Sequence, residues 1–167
     1  ILLKADLLLA EGSATAAEES LTKALEKDMM NGELRARIAT RHLLDGRPDD
    51  AQKLLDETPV GIDHALLHVV EGRLHLVNAD KQRDGTGETD ATLLSVAISA
   101  FEGALKLNRE LGVAWLGMAR TNRLLRNLDA AEEALTRARR LLPEDDSSAA
   151  AEAALLALYQ GDVTAAA

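Results

Sequence analysis

Three histidines and a glutamate are the side chains of this sequence whose spacing suggests chemistry. His64, His68, Glu71 and His75 follow one another at intervals of four, three and four residues. In an α-helix this spacing places all four side chains within about 60° of one face. Imidazole and carboxylate groups are common ligands of zinc and other transition metals. The pattern therefore makes these residues candidates for a metal-binding regulatory element.

The distance along the helix axis limits this hypothesis. A straight helix separates His64 from His75 by about 16 Å, so a single ion cannot reach all four side chains. The pairs that remain as metal candidates are His64 with His68 and Glu71 with His75. The alternative interpretation is structural, with the four side chains packing between helices as half-polar fillers. We favour the structural interpretation and predict no metal ion.

The segment around Ala79–Ala91 is a second candidate for a special role. Within it, Asp84–Asp90 places oxygen-bearing side chains at alternate positions, as at the start of a calcium loop. The glycine placement and closing glutamate of an EF-hand are missing, so we predict no calcium site. The segment has no apolar stripe, which predicts an inserted loop with at most one extra helical turn at its start. Such a loop is either a solvated insertion or a partner-specific contact.

Motifs of catalysis are missing from the sequence. Gly85 and Gly87 lack the third glycine and the preceding strand of a dinucleotide-binding fingerprint. The sequence has no phosphate-binding Walker loop, no G-x-S-x-G motif and no cysteine nucleophile. We therefore expect no enzyme activity and no cofactor.

Composition narrows the class of protein. The chain has 167 residues, a net charge of −9, 2% aromatic residues and no cysteine. Its bias toward Leu and Ala predicts an all-α fold. The acidic charge disfavours nucleic-acid partners, which need Lys and Arg against phosphates.

Length and hydropathy suggest a soluble segment of a larger protein. No stretch reaches the roughly 18 apolar residues of a membrane span, so we expect no membrane insertion. The sequence begins with Ile rather than Met, so we expect a longer parent chain. The bias toward Ala, Leu and Arg suggests a bacterial source, with the cytoplasm and the periplasm both open.

A period of 34 residues organises the chain. Ala17 and Ala51 are 34 residues apart, and Ala97 and Ala131 are separated by the same interval. A fixed period of this size is typical of stacked helical repeats. The predicted units are 1–31, 32–62, 63–111 with the inserted loop at about 79–91, 112–145, and a partial unit at 146–167.

One unit carries enough anchor residues to identify a family. The pattern W-x-x-L-G-x-x-Y…A-x-x-x-F…A…P corresponds to Trp115, Met118, Ala119, Asn122, Ala131, Leu135, Ala138 and Pro143. Trp, the two second-helix Ala and Pro are identical, Met118, Ala119 and Leu135 are close substitutes, and Asn122 departs from Tyr. Over nearly its whole length the chain resembles the tetratricopeptide repeat (TPR) family. The resemblance implies a right-handed solenoid of antiparallel helix pairs, about four and a half repeats long. A related helical repeat and an ordinary helix bundle are the alternatives.

The resemblance also implies a binding surface. In the family, the first helices of the repeats line a concave groove that binds peptides. The corresponding positions here are Leu2, Asp6, Leu9, Ala36, Thr40, Leu43, Val69, Arg73, Leu76, Leu116, Arg120 and Arg123. Many members bind a terminal carboxylate with Lys, Asn and Arg at set positions. Those positions hold residues such as Leu2 and Asp6 here, so we predict that this carboxylate clamp is absent.

The function that follows is a scaffold for protein–protein interaction without catalysis. Three arginines in the predicted groove, Arg73, Arg120 and Arg123, favour a peptide with some acidic residues. The first alternative is self-association, or a spacer role inside a larger protein, through the apolar ends Ile1–Leu9 and Ala149–Ala167. The second alternative is the metal-binding element built on the histidine face.

Overall fold

The computed structural model describes residues 2–10, 12–86 and 90–161, and these residues form helices joined by short turns. The helices in this part of the chain are α1 (Leu2–Ala10), α2 (Ala14–Lys27), α3 (Gly32–Leu44), α4 (Pro48–Asp56), α5 (Ala65–Thr86), α6 (Ala91–Leu107), α7 (Gly112–Leu124), α8 (Leu128–Leu141) and α9 (Ser147–Gln160).

Consecutive helices pack as pairs, and the pairs stack into one array. Helix α1 packs on α2, α3 on α4, α5 on α6, and α7 on α8. Each later odd-numbered helix also contacts the second helix of the preceding pair, and α3, α5, α7 and α9 contact one another in turn. This stacking buries a continuous core that one helix pair could not bury alone. The predicted all-α helical-repeat solenoid is confirmed.

The periodic alanines lie where neighbouring helices approach most closely. Ala17, Ala51, Ala97 and Ala131 are each at most 1% exposed. A small side chain at these positions lets the paired helices approach closely and pack at interior density. The 34-residue period in the sequence therefore corresponds to a repeated contact in the structure.

The third helix pair is longer than the others. Helix α5 has 22 residues and α6 has 17, against 13 and 14 in the pair α7 and α8. The prediction of a loop at about 79–91 is wrong for residues 79–86, because α5 continues to Thr86. Residues 87–89 of the predicted loop lie outside the described residues. Ala79 extends the apolar face of α5 and is buried in the cluster that contains Leu94.

Helix α6 is capped at its start by the side chain of Asp90. The Asp90 carboxylate accepts hydrogen bonds from the backbone N–H groups of Thr92 at 2.7 Å and Leu93 at 3.3 Å. These bonds satisfy two backbone donors that the first turn of a helix leaves free. They also hold the pKa of Asp90 below its ordinary value.

The centre of the array is packed around one aromatic ring. Phe101 on α6 is fully buried. Its ring lies directly against the backbones of Gly72 on α5 and Gly117 on α7, where an added methyl group would overlap it. The two glycines therefore let three helices converge on a single large side chain.

Within the described residues, no helix is both long and apolar enough to cross a membrane.

Candidate functional site

A cavity of about 290 Å³ lies on the face built mainly by the first helices of successive pairs. Side chains from α1, α3, α5 and α7 line it, and α2 closes one side. Five of the predicted groove residues line this cavity: Asp6, Ala36, Thr40, Val69 and Arg73. Its volume is at the lower end of the range typical of ligand sites in proteins. The structure therefore brings together part of the predicted groove as one concave surface.

Other predicted groove positions are mainly structural. Leu76 is 3% exposed and lies in the same buried cluster as Phe101. Leu43 and Leu116 are half-buried and pack against two further core clusters. Leu2 packs against the cluster at the start of the chain. The side chain of Leu9 lies outside the described residues.

The three arginines of the predicted groove have different environments. Arg120 donates a hydrogen bond to Asp80 at 2.8 Å, across the gap between α7 and α5. Arg123 is 4% exposed and binds Glu152 of α9 through two hydrogen bonds of 2.5 and 3.1 Å. We therefore correct the assignment of Arg123, because its guanidinium is committed to a buried ion pair and is not offered to a ligand.

Arg73 differs from both of these arginines. In the part of the chain that the structure describes, its guanidinium makes no hydrogen bond and no ion pair. Burial of this cation lowers its pKa, and the neighbouring positive charge of Arg120 lowers it further, against a weaker opposing effect of Asp146. The cavity wall thus holds a partly desolvated positive charge that forms no direct ion pair with any described residue, although Asp146 attracts it weakly.

The remaining charges of the cavity are neutralised within the protein. Arg37 binds Asp6 at 2.7 Å and Glu33 at 3.2 Å. Arg41 forms an ion pair with Asp45, which lowers the pKa of that carboxyl.

Glu18 also has a cationic partner. It receives two hydrogen bonds from Arg47, at 2.5 and 3.2 Å, and these raise the pKa of Arg47. This ion pair joins α2 to the turn before α4. The carboxylate of Glu18 is therefore not a free negative charge in the cavity.

The four metal candidates line a separate cavity of about 400 Å³ beside α4 and α5. The nitrogens of His68 face two carboxylates, with Asp63 at 2.8 Å and Glu71 at 3.6 Å. The Nδ1 atom of His64 accepts a hydrogen bond from the backbone N–H of Leu66 at 3.3 Å. In His75 the Nδ1 atom is buried without a partner. Among the described residues, no three His, Asp or Glu side chains are arranged to hold a metal ion.

Some structurally important side chains carried no signal in the sequence. Arg35 is 4% exposed and donates hydrogen bonds to the carbonyl oxygens of Leu54 at 3.1 Å and Met29 at 3.3 Å. It ties α3 to α4 and to the preceding turn. An isolated arginine in a helix gives no hint of such bonds, because both acceptors are backbone groups.

The most recognisable anchor residue of the sequence is held in the same way. The indole Nε1 of Trp115 donates a hydrogen bond to the carbonyl oxygen of Arg109 at 2.9 Å. The Arg137 guanidinium lies 4.6 Å from the centre of the Trp115 ring. Trp115 therefore links α7 to α8 and to the turn before α7.

Comparison with known proteins confirms the family resemblance. Residues 8–60 match the family model of the tetratricopeptide repeat. None of the curated proteins matches the chain significantly.

Solved structures with the same fold cover almost the whole chain. The thermophilic TPR protein TTC0263 of Thermus thermophilus has a TM-score of 0.74 at 23% identity, covering 99% of this chain and 84% of its own. A crystal structure of MamA has a TM-score of 0.60 at 21% identity, covering 97% and 87%. MamA from Desulfovibrio magneticus RS-1 has a TM-score of 0.62 at 15% identity, covering 97% and 84%. Identities this low establish the shared fold alone.

Proposed function

We propose that the chain binds a segment of a partner protein in the cavity on its concave face, because residues 8–60 match the tetratricopeptide repeat family model and the chain shares the fold of a TPR protein. The TPR fold is typical of protein-interaction scaffolds, and five of the predicted groove residues line this cavity. The observation that carries the proposal is the cavity itself, which four stacked helices line with alanine, valine and leucine side chains.

The shape of the cavity favours a peptide over a rounded small molecule. Its walls run across α1, α3, α5 and α7, so it extends along the array rather than into one helix pair. Small side chains at Ala5 and Ala36 leave space above the helix backbones, while Leu66 and Val69 provide apolar contacts. A peptide with aliphatic side chains would bury them in that space and so gain hydrophobic free energy.

A variant that fills the cavity tests the proposal. Thr40 lines the cavity and is half-buried, so Thr40→Phe places a ring in it with little change to the core. Thr136→Phe introduces the same ring on the exposed face of α8 and serves as the matched control. The probes are peptides selected from a random phage-displayed library against the unaltered chain.

The two variants give opposite expectations. We expect Thr40→Phe to weaken binding of the selected peptides at least tenfold, while Thr136→Phe leaves binding unchanged. Circular dichroism establishes that both variants remain helical. Equal peptide affinity in all three proteins would show that the peptides bind elsewhere and would overturn the proposal.

Self-association or packing within a larger protein is the second candidate. Leu3 and Leu7 on α1 are 84% and 59% exposed, and Leu158 on α9 is 52% exposed. Exposed leucines on the first and last described helices favour a second protein surface that packs against them. Sedimentation velocity over a hundredfold concentration range tests it. A constant monomer mass would remove self-association, and a dimer dispersed by Leu3→Glu would support it.

A further inference from the structure

More positively than negatively charged side chains line the cavity. Its lining contains the carboxylates of Asp6 and Glu18 and the guanidiniums of Arg37, Arg41 and Arg73. Each of these groups except Arg73 has an ion-pair partner among the described residues. The groove therefore offers one unpaired positive charge to whatever binds there.

The position of Arg73 makes this charge unusual. Burial lowers its pKa, and the positive charge of Arg120 lowers it further, against a weaker opposing effect of Asp146. A cation removed from water without a partner raises the free energy of the folded protein. A carboxylate from outside would restore the missing interaction, and the planar guanidinium can bind both carboxylate oxygens at once.

The surroundings of Arg73 specify what should accompany that carboxylate. Val69 and Leu66 precede Arg73 by four and seven residues on α5, which places them on the same helix face. Val113 of α7 lines the cavity on the other side. A ligand that reaches Arg73 must therefore contact aliphatic side chains on both sides of its acidic group.

We propose that Arg73 binds an internal acidic side chain of the partner segment, flanked by aliphatic residues that occupy the cavity. This inference rests on the proposed function. The carboxylate is internal because α5 lies in the middle of the cavity, between α3 and α7. A peptide that ended at Arg73 would leave one side of the cavity uncovered.

A double-mutant cycle tests the pairing directly. One selected peptide is prepared with its central Glu and with Gln at that position. Each form is titrated against the unaltered chain and against Arg73→Met, which keeps the apolar stem and removes the charge. Arg139→Met on the exposed face of α8 is the matched control. We expect Arg73→Met to weaken the Glu peptide about tenfold or more and to leave the Gln peptide unchanged.

A second pair of peptides separates an internal carboxylate from a terminal one. The Glu peptide is prepared with a free C-terminus and with an amidated C-terminus. We expect equal affinity for both, since the terminal carboxylate is not the group that contacts Arg73. A tenfold loss on amidation, with no effect of Glu to Gln, would overturn the assignment.

The outcomes distinguish this inference from the function on which it rests. If Thr40→Phe abolishes binding while Arg73→Met affects both peptides equally, the cavity binds peptides but Arg73 does not bind their acidic side chain. The proposed function then stands and this inference fails. If Thr40→Phe has no effect, the proposed function and this inference both fail. Coupling between Arg73 and the peptide Glu, together with the loss in Thr40→Phe, supports both.

Discussion

Arg73 and Arg120 occupy corresponding positions in two repeats, yet their surroundings differ. Arg120 reaches Asp80 at 2.8 Å, and Arg73 has no such partner in the described structure. Asp80 lies in the part of α5 that continues beyond the length of a regular repeat helix. The longer α5 of the third repeat therefore supplies a charge partner to an arginine of the fourth repeat, Arg120.

Arg123 is also paired with a carboxylate of another helix, and its ion pair is buried. One helical turn after Arg120, it is buried against Glu152 of α9, and its guanidinium also lies 4.9 Å from the Tyr159 ring. The carboxylate from α9 thus makes Arg123 part of the contact between the fourth repeat and the next helix. A basic residue at a groove position is therefore available to ligands only when no neighbouring helix, earlier or later in the chain, supplies a carboxylate to it.

The buried pair gives the largest expected effect on stability. Glu152→Ala would leave Arg123 buried without a counterion, which typically costs about 3–5 kcal/mol. The measurement is the free energy of unfolding from urea denaturation. Glu133→Ala breaks an exposed pair with Arg137 and should cost about 1 kcal/mol or less.

An apolar replacement sharpens this test. The double variant Arg123→Met with Glu152→Leu removes both charges, and we expect it to recover most of the stability lost in Glu152→Ala. If the double variant were as unstable as the single one, the loss would come from packing and not from an unpaired charge.

The next effect concerns the buried Phe101 ring and its contact with Gly117. Gly117→Ala places a methyl group into Phe101, and overpacking of this kind costs about 1–3 kcal/mol. Adding Phe101→Leu should recover part of this loss, because the smaller side chain vacates the space. Gly85→Ala on α5 meets no atom within 4 Å and should leave the melting temperature unchanged or raise it. Equal losses in Gly117→Ala and Gly85→Ala would argue against the contact.

The repeat architecture was predictable because it depends on spacing alone. Periodic alanines such as Ala17 and Ala51 are buried in the structure as a stacked repeat requires. A cap at Thr89 or Asp90 was predictable for a similar reason, since a short polar residue before an apolar helix is a local signal, and Asp90 is the residue that accepts the capping hydrogen bonds. The approximate course of the groove followed from the resemblance to the family.

The charge state of the groove was not predictable, because it depends on long-range pairs. Asp80 and Arg120 are 40 residues apart, and Arg123 and Glu152 are 29 apart. The continuation of α5 was missed since its last turns carry no apolar stripe. The helix nevertheless propagates by backbone hydrogen bonds once its earlier part is packed.

Removing the charge partner of Arg120 would make its surroundings similar to those of Arg73. Asp80→Asn keeps the shape of the side chain and leaves Arg120 without its charge partner. We expect an acidic peptide that spans the groove to bind up to about fivefold more tightly, as is typical of partly exposed charges. Isothermal titration measures the change, with Asp145→Asn on an exposed turn as the control. Unchanged affinity would indicate that the ligand does not extend to Arg120.

The smallest effect is expected at Asp90, which caps the first turn of α6. The pKa of Asp90 is lowered in the folded state, chiefly by the N–H groups of Thr92 and Leu93. Its contribution to stability is therefore present above the ordinary pKa of aspartate and is lost as the pH falls through the lowered value. Asp90→Asn retains a capping oxygen that does not titrate. The melting-temperature difference between this variant and the unaltered chain should be constant near neutral pH and change below about pH 4. A difference that stays constant down to about pH 2 would contradict the carboxylate cap, and α6 would then be held by its packing alone.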